Sequence, residues 1–152
     1  MICADSPYYF AKLRKISLLL GFTIQFHHFG IACREIDKTA DAYSQLGYSK
    51  GEIIFDPLQN INICFLSHPE MPLVELLSPV DENSPVVQIL EKNGVTPYHT
   101  CYAVDDIDSA VKEFKRQRYV IVSKPKEACA IEGRRVAFLY SAGMGLIELV
   151  EK

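Results

Sequence analysis

The chain repeats itself. The segment HFGIACREIDKTADAYSQLGY, from His28 to Tyr48, lies over HTCYAVDDIDSAVKEFKRQRY, from His99 to Tyr119, without a gap. His28 meets His99, Ala32 meets Ala103, Ile36 and Asp37 meet Ile107 and Asp108, and Tyr48 meets Tyr119. Further along, CFLS (Cys64 to Ser67) meets AFLY (Ala137 to Tyr140), and LVEL (Leu73 to Leu76) meets LIEL (Leu146 to Leu149). Two related copies in one chain imply one supersecondary unit built twice, with a core completed when the copies pack together. Each copy carries a histidine early and a glutamate late.

Pattern within a copy sets its elements. Residues 26 to 33 and 98 to 104 are short runs rich in apolar and aromatic side chains, as strands are. Asp37 and Asp108 then stand where an N-cap or first-turn acid belongs, ahead of apolar residues at helical spacing (Ala40, Tyr43, Leu46; Ala110, Val111, Phe114). Three more short runs follow each helix: 51 to 55, 60 to 66 and 73 to 77, then 119 to 123, 134 to 139 and 145 to 150. The expected fold class is α+β, with two tandem βαβββ modules at residues 26–78 and 98–152. Residues 79–97 form a linker with a short helix from Ser84 to Asn93, capped by Ser84, opened by Pro85 and stopped by Gly94. Residues 1–25 have no counterpart in the other copy. Their apolar spacing in YYFAKLRKISLLL reads as an added helix.

Composition narrows the class of function. The 152 residues are 49% hydrophobic and 23% charged, which excludes a disordered chain. A net charge of -3 and the lack of a basic stripe exclude nucleic acid as the expected partner. The five cysteines are odd in number, scattered and never in a CxxC pair, so a reducing cytoplasm is expected rather than a disulfide framework or zinc ribbon. The apolar run Leu18 to Phe22 is too short to span a bilayer, and no small-x-small cleavage site follows it.

The chemistry concentrates in four residues. Alternation puts His28 on one face with Gly30 and Ala32, and His99 with Cys101 and Ala103, so each histidine looks across small neighbours. Glu75 lies between Leu73 and Leu77, and Glu148 between Leu146 and Val150, on strands apolar on both sides. A buried carboxylate is costly without a positive or hydrogen-bonding partner. The repeat places no arginine or lysine in phase with either glutamate. If the modules pack about an approximate two-fold, His28, Glu75, His99 and Glu148 converge on one point and suit one divalent ion such as Ni, Co, Zn, Mn or Fe. By the same alternation His27 faces away from His28's side of the strand, and His68 lies in the turn SHPEMP; both read as surface residues or as supports behind the ligands, and neither is a first-choice ligand. Cys33, Cys64 and Cys101 read as buried small apolar residues.

HHFGIA, VELLSP, SPVVQILEKNG, YHTCYAVDDIDSAV and GLIELVE, in this order and spacing, resemble the vicinal oxygen chelate superfamily. That superfamily includes glyoxalase I, methylmalonyl-CoA epimerase, extradiol dioxygenases and drug-resistance proteins. The likeness covers residues 26 to 151. It implies that the paired modules form a half-open barrel around a divalent metal, in a homodimer, with ligands at His28, Glu75, His99 and Glu148. It also implies proton transfer next to a carbonyl through a metal-stabilised enediolate, on a thiol-linked substrate, with Glu148 as base and Glu75 as its counterpart on the opposite face. Some epimerases carry a further acid on the strand before that of Glu75, where this chain has NINICFL, and ACAIEGRRVAFLYSAG diverges from the epimerase pattern. The expected activity is therefore that of a lactoylglutathione lyase-like enzyme, with a methylmalonyl-CoA epimerase-like racemase as the alternative. A non-catalytic binding protein of the resistance type is the alternative of another class. Lys124, Lys126, Arg134 and Arg135 are candidates to hold the anionic groups of a thiol carrier, or equally a solvated hairpin face.

Overall fold

The computed structural model describes residues 23–152. The expected N-terminal helix and the apolar run Leu18 to Phe22 lie outside the described residues, and of the extension 1–25 only residues 23–25 are described. There the first strand, β1 (Ile24–Ala32), begins two residues before the expected boundary. Ile24 and Gln25 belong to it because they pair with Val104 and Ala103.

Each copy folds as βαβββ. After β1 come α1 (Ile36–Ser44), β2 (Ser49–Asp56), β3 (Ile61–Ser67) and β4 (Leu73–Pro79). Across the linker helix α2 (Val87–Asn93), the second copy runs β5 (Thr96–Val104), α3 (Ile107–Arg116), β6 (Val120–Glu127), β7 (Arg135–Ser141) and β8 (Gly145–Glu151). The eight strands make one open sheet in the order β2-β3-β4-β1-β5-β8-β7-β6. Within each copy the first strand runs parallel to the last, and β1 meets β5 antiparallel. The approximate two-fold passes through that antiparallel pair, at the rung where Phe29 opposes Thr100.

Alternation divides the sheet into two layers of core. On the outer face α1 covers Ile31, Cys64, Leu66, Val74 and Leu76, while α3 covers Val104, Ala137, Leu139, Ile147 and Leu149. The inner, concave face carries Ile61, Ile63 and Leu77 from one copy, and Cys101, Val136 and Val150 from the other. Phe65 packs against both inner groups and ties them together.

The helix ends follow local chemistry, with one correction. Asp106 caps α3 by accepting from Ser109 N at 3.0 Å, with Asp108 in the first turn. Asp37 stands in the first turn of α1, where no side chain caps the helix. Ser84 does not cap α2. The chain turns at Ser84, with Val87 N bonded to Ser84 O at 3.1 Å, so the helix opens after Val86 and the buried Ser84 hydroxyl is left without a partner. Gly94 closes the helix at φ 68°, a conformation glycine adopts without a Cβ clash. Among the described residues, no helix is long and apolar enough to cross a membrane.

Candidate metal centre

The four donors come from four strands and meet because of the register at the two-fold. Across the sheet, Phe65, Glu75, Gly30 and His99 form one rung on β3, β4, β1 and β5. His28, Cys101, Glu148 and Phe138 form the related rung on β1, β5, β8 and β7. In each rung a small residue separates glutamate from histidine, so the two long side chains can lean over it. At Gly30 this room is fully used: a Cβ there would lie 2.2 Å from His99 Cε1.

Both histidines and both carboxylates are buried, at 0% exposure for His28, 3% for Glu75, 4% for His99 and 3% for Glu148. His28 Nε2 and His99 Nε2 face each other at 3.1 Å. His28 Nε2 lies 3.3 Å from Oε2 of both Glu75 and Glu148; His99 Nε2 lies 3.3 and 3.4 Å from the same two atoms. Close as they are, these contacts leave Glu148 Oε2 without a properly directed hydrogen bond. Donors about 2.0–2.2 Å from one ion stand about 3.0–3.5 Å apart, so the donor set fits a small divalent cation. With carboxylate and imidazole donors, the set matches borderline transition ions rather than a thiolate-preferring one.

Charge within the cluster is mutually supported. Burial works to lower the pKa of His99, but the Glu148 and Glu75 carboxylates beside its ring outweigh it and lift the group to about 9. His28 moves in the same direction for the same reasons. Burial works to raise the carboxylates, yet the two imidazoles hold both Glu75 and Glu148 below the ordinary glutamate range. Cys101 sits beside His28 and keeps its proton, since burial and then the Glu148 carboxylate push its pKa up. A neutral thiol here is a wall, not a nucleophile. Cys33 and Cys64 are likewise buried, and no disulfide forms among the described residues.

Phe65 stands edge-on to His28 and Phe138 edge-on to His99, with ring centroids 5.4 and 5.5 Å apart. Beyond Phe138 a cavity of about 350 Å³ opens between the two modules. Tyr98, Gln59, Asn60, Ser123 and Lys126 are among its lining residues. Asp56 shapes one lip, accepting from the backbone of Leu58 and Gln59 at 2.8 and 3.2 Å.

Two expectations about neighbouring residues change. Strict alternation turns His27 away from His28, but β1 carries a bulge between Phe26 and His28. His27 is thereby brought onto the same side, with its Nδ1 2.8 Å from His28 Nδ1. The sequence does not mark the bulge; the second copy repeats it, for Tyr98, the counterpart of His27, occupies a bulge immediately before His99. Arg135 is not free to hold a ligand, because it pairs with Glu151 and Asp108 at 2.7 and 2.9 Å. Arg134 is engaged by the Glu151 carbonyl and faces His27. Lys126 reaches the cavity; Lys124 is exposed, and His68 lies between β3 and β4, away from the centre.

A family model described as Glyoxalase/Bleomycin resistance protein/Dioxygenase superfamily matches residues 27–138. Mitochondrial methylmalonyl-CoA epimerase of Bos taurus is 30% identical over 127 residues, 81% of this chain and 71% of the relative. An ethylmalonyl-CoA/methylmalonyl-CoA epimerase of Cereibacter sphaeroides is 30% identical over 118 residues, 75% of this chain and 86% of the relative. The crystal structure of methylmalonyl-CoA epimerase from Mycobacterium tuberculosis superposes with a TM-score of 0.75 at 27% identity, covering 83% of this chain and 86% of the other. These relatives favour the epimerase alternative over the lactoylglutathione lyase expected from the loop sequences. Strand order, site geometry and sequence likeness agree that this chain belongs to the glyoxalase/bleomycin resistance protein/dioxygenase superfamily, with methylmalonyl-CoA epimerases among its homologues.

Proposed function

We propose that this protein is a divalent-metal-dependent isomerase that inverts the acidic carbon beside the carbonyl of a coenzyme A thioester. The observation that carries the reading is the pair of buried carboxylates, one from each module, flanking a histidine pair whose facing nitrogens are 3.1 Å apart. The epimerase relatives direct it to an acyl-CoA rather than a glutathione adduct.

His28, Glu75, His99 and Glu148 would hold the ion. When bound, the ion supplies Lewis-acid stabilisation of the negative charge that builds on the carbonyl oxygen. The remaining work falls to the chain. Glu148 takes the proton from the carbon, leaving its electron pair delocalised toward the carbonyl. Glu75, on a strand related by the two-fold, takes up a proton from solvent and gives it to the opposite face, while Glu148 releases to solvent the one it removed, so the centre inverts with no net change in protons or oxidation state. Each carboxylate has to turn from its donor position to do so.

Phe65 and Phe138 exclude water from the exchanging carbon. The cavity of about 350 Å³ lies at the low end of the small-molecule range, sized for an acyl head with its carrier projecting outward. Lys126 at its lining faces that anionic carrier.

The test is solvent exchange. In deuterium oxide, the metal-loaded protein should place deuterium at the α-carbon of methylmalonyl-CoA while interconverting its epimers. Conversion of a glutathione hemithioacetal with no exchange on the acyl-CoA overturns this assignment in favour of a lyase. Tight binding of either compound without turnover overturns it in favour of sequestration.

A further inference from the structure

The two histidines at the centre are related by the two-fold in their Nε2 atoms but not in their Nδ1 atoms. His28 Nδ1 lies 2.8 Å from His27 Nδ1. His99 Nδ1 is buried and has no partner. The counterpart of His27 in the second copy is Tyr98, which meets the His99 ring edge-on with centroids 5.7 Å apart and makes no hydrogen bond to it. Both residues occupy bulges, so the backbone device is duplicated while the side chain differs.

The chemistry of imidazole gives this difference a consequence. A histidine that offers its Nε2 lone pair to a cation carries its proton on Nδ1, and that N–H needs an acceptor when buried. His27 is placed to be one. A neutral ring has one lone pair to give. Arg134 Nη1 is 3.4 Å from His27 Nε2, long for a hydrogen bond, and its guanidinium has a separate anchor in the Glu151 carbonyl. A guanidinium only donates, so Arg134 makes no hydrogen bond to His27 in this arrangement and is held by the Glu151 carbonyl instead; with His28 Nε2 turned to a cation and its proton on Nδ1, the His27 proton resides on Nε2 and its Nδ1 accepts.

We propose that His27 is a positioning residue for the metal centre, accepting the Nδ1 proton of His28 and fixing that ring with Nε2 toward the other three donors. His28 is then the anchored ligand. His99 has no such partner on its Nδ1 side, where its ring is held by packing between Gly30 and Phe138. This inference rests on the reading of the four residues as a metal centre and goes beyond it by assigning the brace and its asymmetry.

Titration with Co²⁺ alone, with stability followed in parallel by circular dichroism, tests it. Loss of an outer hydrogen-bond partner lowers metal affinity by about 10–100-fold, and His27→Phe should do so. His27→Asn, whose side-chain oxygen can accept at the same place, should recover affinity to within about threefold of wild type. Tyr98→Phe should leave affinity within the same range, because the Tyr98 hydroxyl makes no bond to His99. In the Zn²⁺-loaded wild-type protein, long-range ¹H–¹⁵N spectra should show His28 protonated at Nδ1. A wild-type chain that binds no ion overturns the metal centre and the brace together. Binding by His27→Phe equal to wild type, or His28 protonated at Nε2 in the loaded protein, overturns the brace alone. Should His27→Phe fail to fold, the His28 protonation state and the Asn variant decide the matter.

Discussion

Gly30 lets the imidazole of His99 rest against bare backbone, and any side chain there would occupy the ring's place. Gly30→Ala is expected to cost about 1–3 kcal/mol by overpacking, and to weaken Co²⁺ binding because His99 must leave its position; a thermal melt and a metal titration check the two effects. Glu148→Gln keeps the shape of the side chain but cannot take a proton, so solvent deuterium exchange at the substrate carbon should fall by about 10²–10⁴-fold. Exchange at the wild-type rate would remove Glu148 from the role of base. Protonation has its own signature. His99 is raised to about 9, so in metal-stripped protein its ion pairing stabilises the fold fully below about 6.5 and fades as pH climbs through 9. Melting temperature of the stripped protein should therefore decline over that interval, and Glu148→Gln should flatten the decline. All four central residues were legible in the sequence because they recur in phase. The side of the strand that His27 takes was not, since alternation holds only where the strand is regular.

At the scale of elements, helix caps divide along the repeat. Asp106 holds the start of α3 through Ser109 N, while Glu35, its positional counterpart on α1, makes no such bond. Asp106→Ala should cost about 1 kcal/mol, a fall of about 2–4 °C in Tm for a chain of this size. Glu35→Ala should change Tm by much less, and equal effects would deny the cap its role. Strand and helix order followed from periodicity because each element buries one face. The ends did not follow so well: α2 starts after Val86 rather than at Ser84, because a hydrogen-bonded turn takes up the intervening residues. β6 extends to Glu127 through a stretch containing Pro125, beyond the apolar run that marked it in the sequence. Pro125 is tolerated because β6 is an edge strand.

At the scale of the molecule, an ion held jointly by β1, β4, β5 and β8 binds the folded chain and not the unfolded one. Divalent metal at about 100 times its Kd should add about 2.7 kcal/mol of stability, a rise of about 5–10 °C in Tm that a chelator reverses. A melting curve indifferent to metal would speak against the centre. What the sequence determined alone was the duplicated unit, the order of its elements and the identity of four residues in phase, because local periodicity and internal likeness are properties of the chain itself. Only the tertiary structure decided that β1 and β5 pair antiparallel in the register that sets Gly30 opposite His99 and His28 opposite Cys101. It also decided that bulges at His27 and Tyr98 turn extra side chains inward, and that Arg135 is taken by Glu151 and Asp108. The physical reason is that pairing register and ion-pair choice depend on groups far apart in sequence, whose meeting is settled by how the two copies pack rather than by either copy's own pattern.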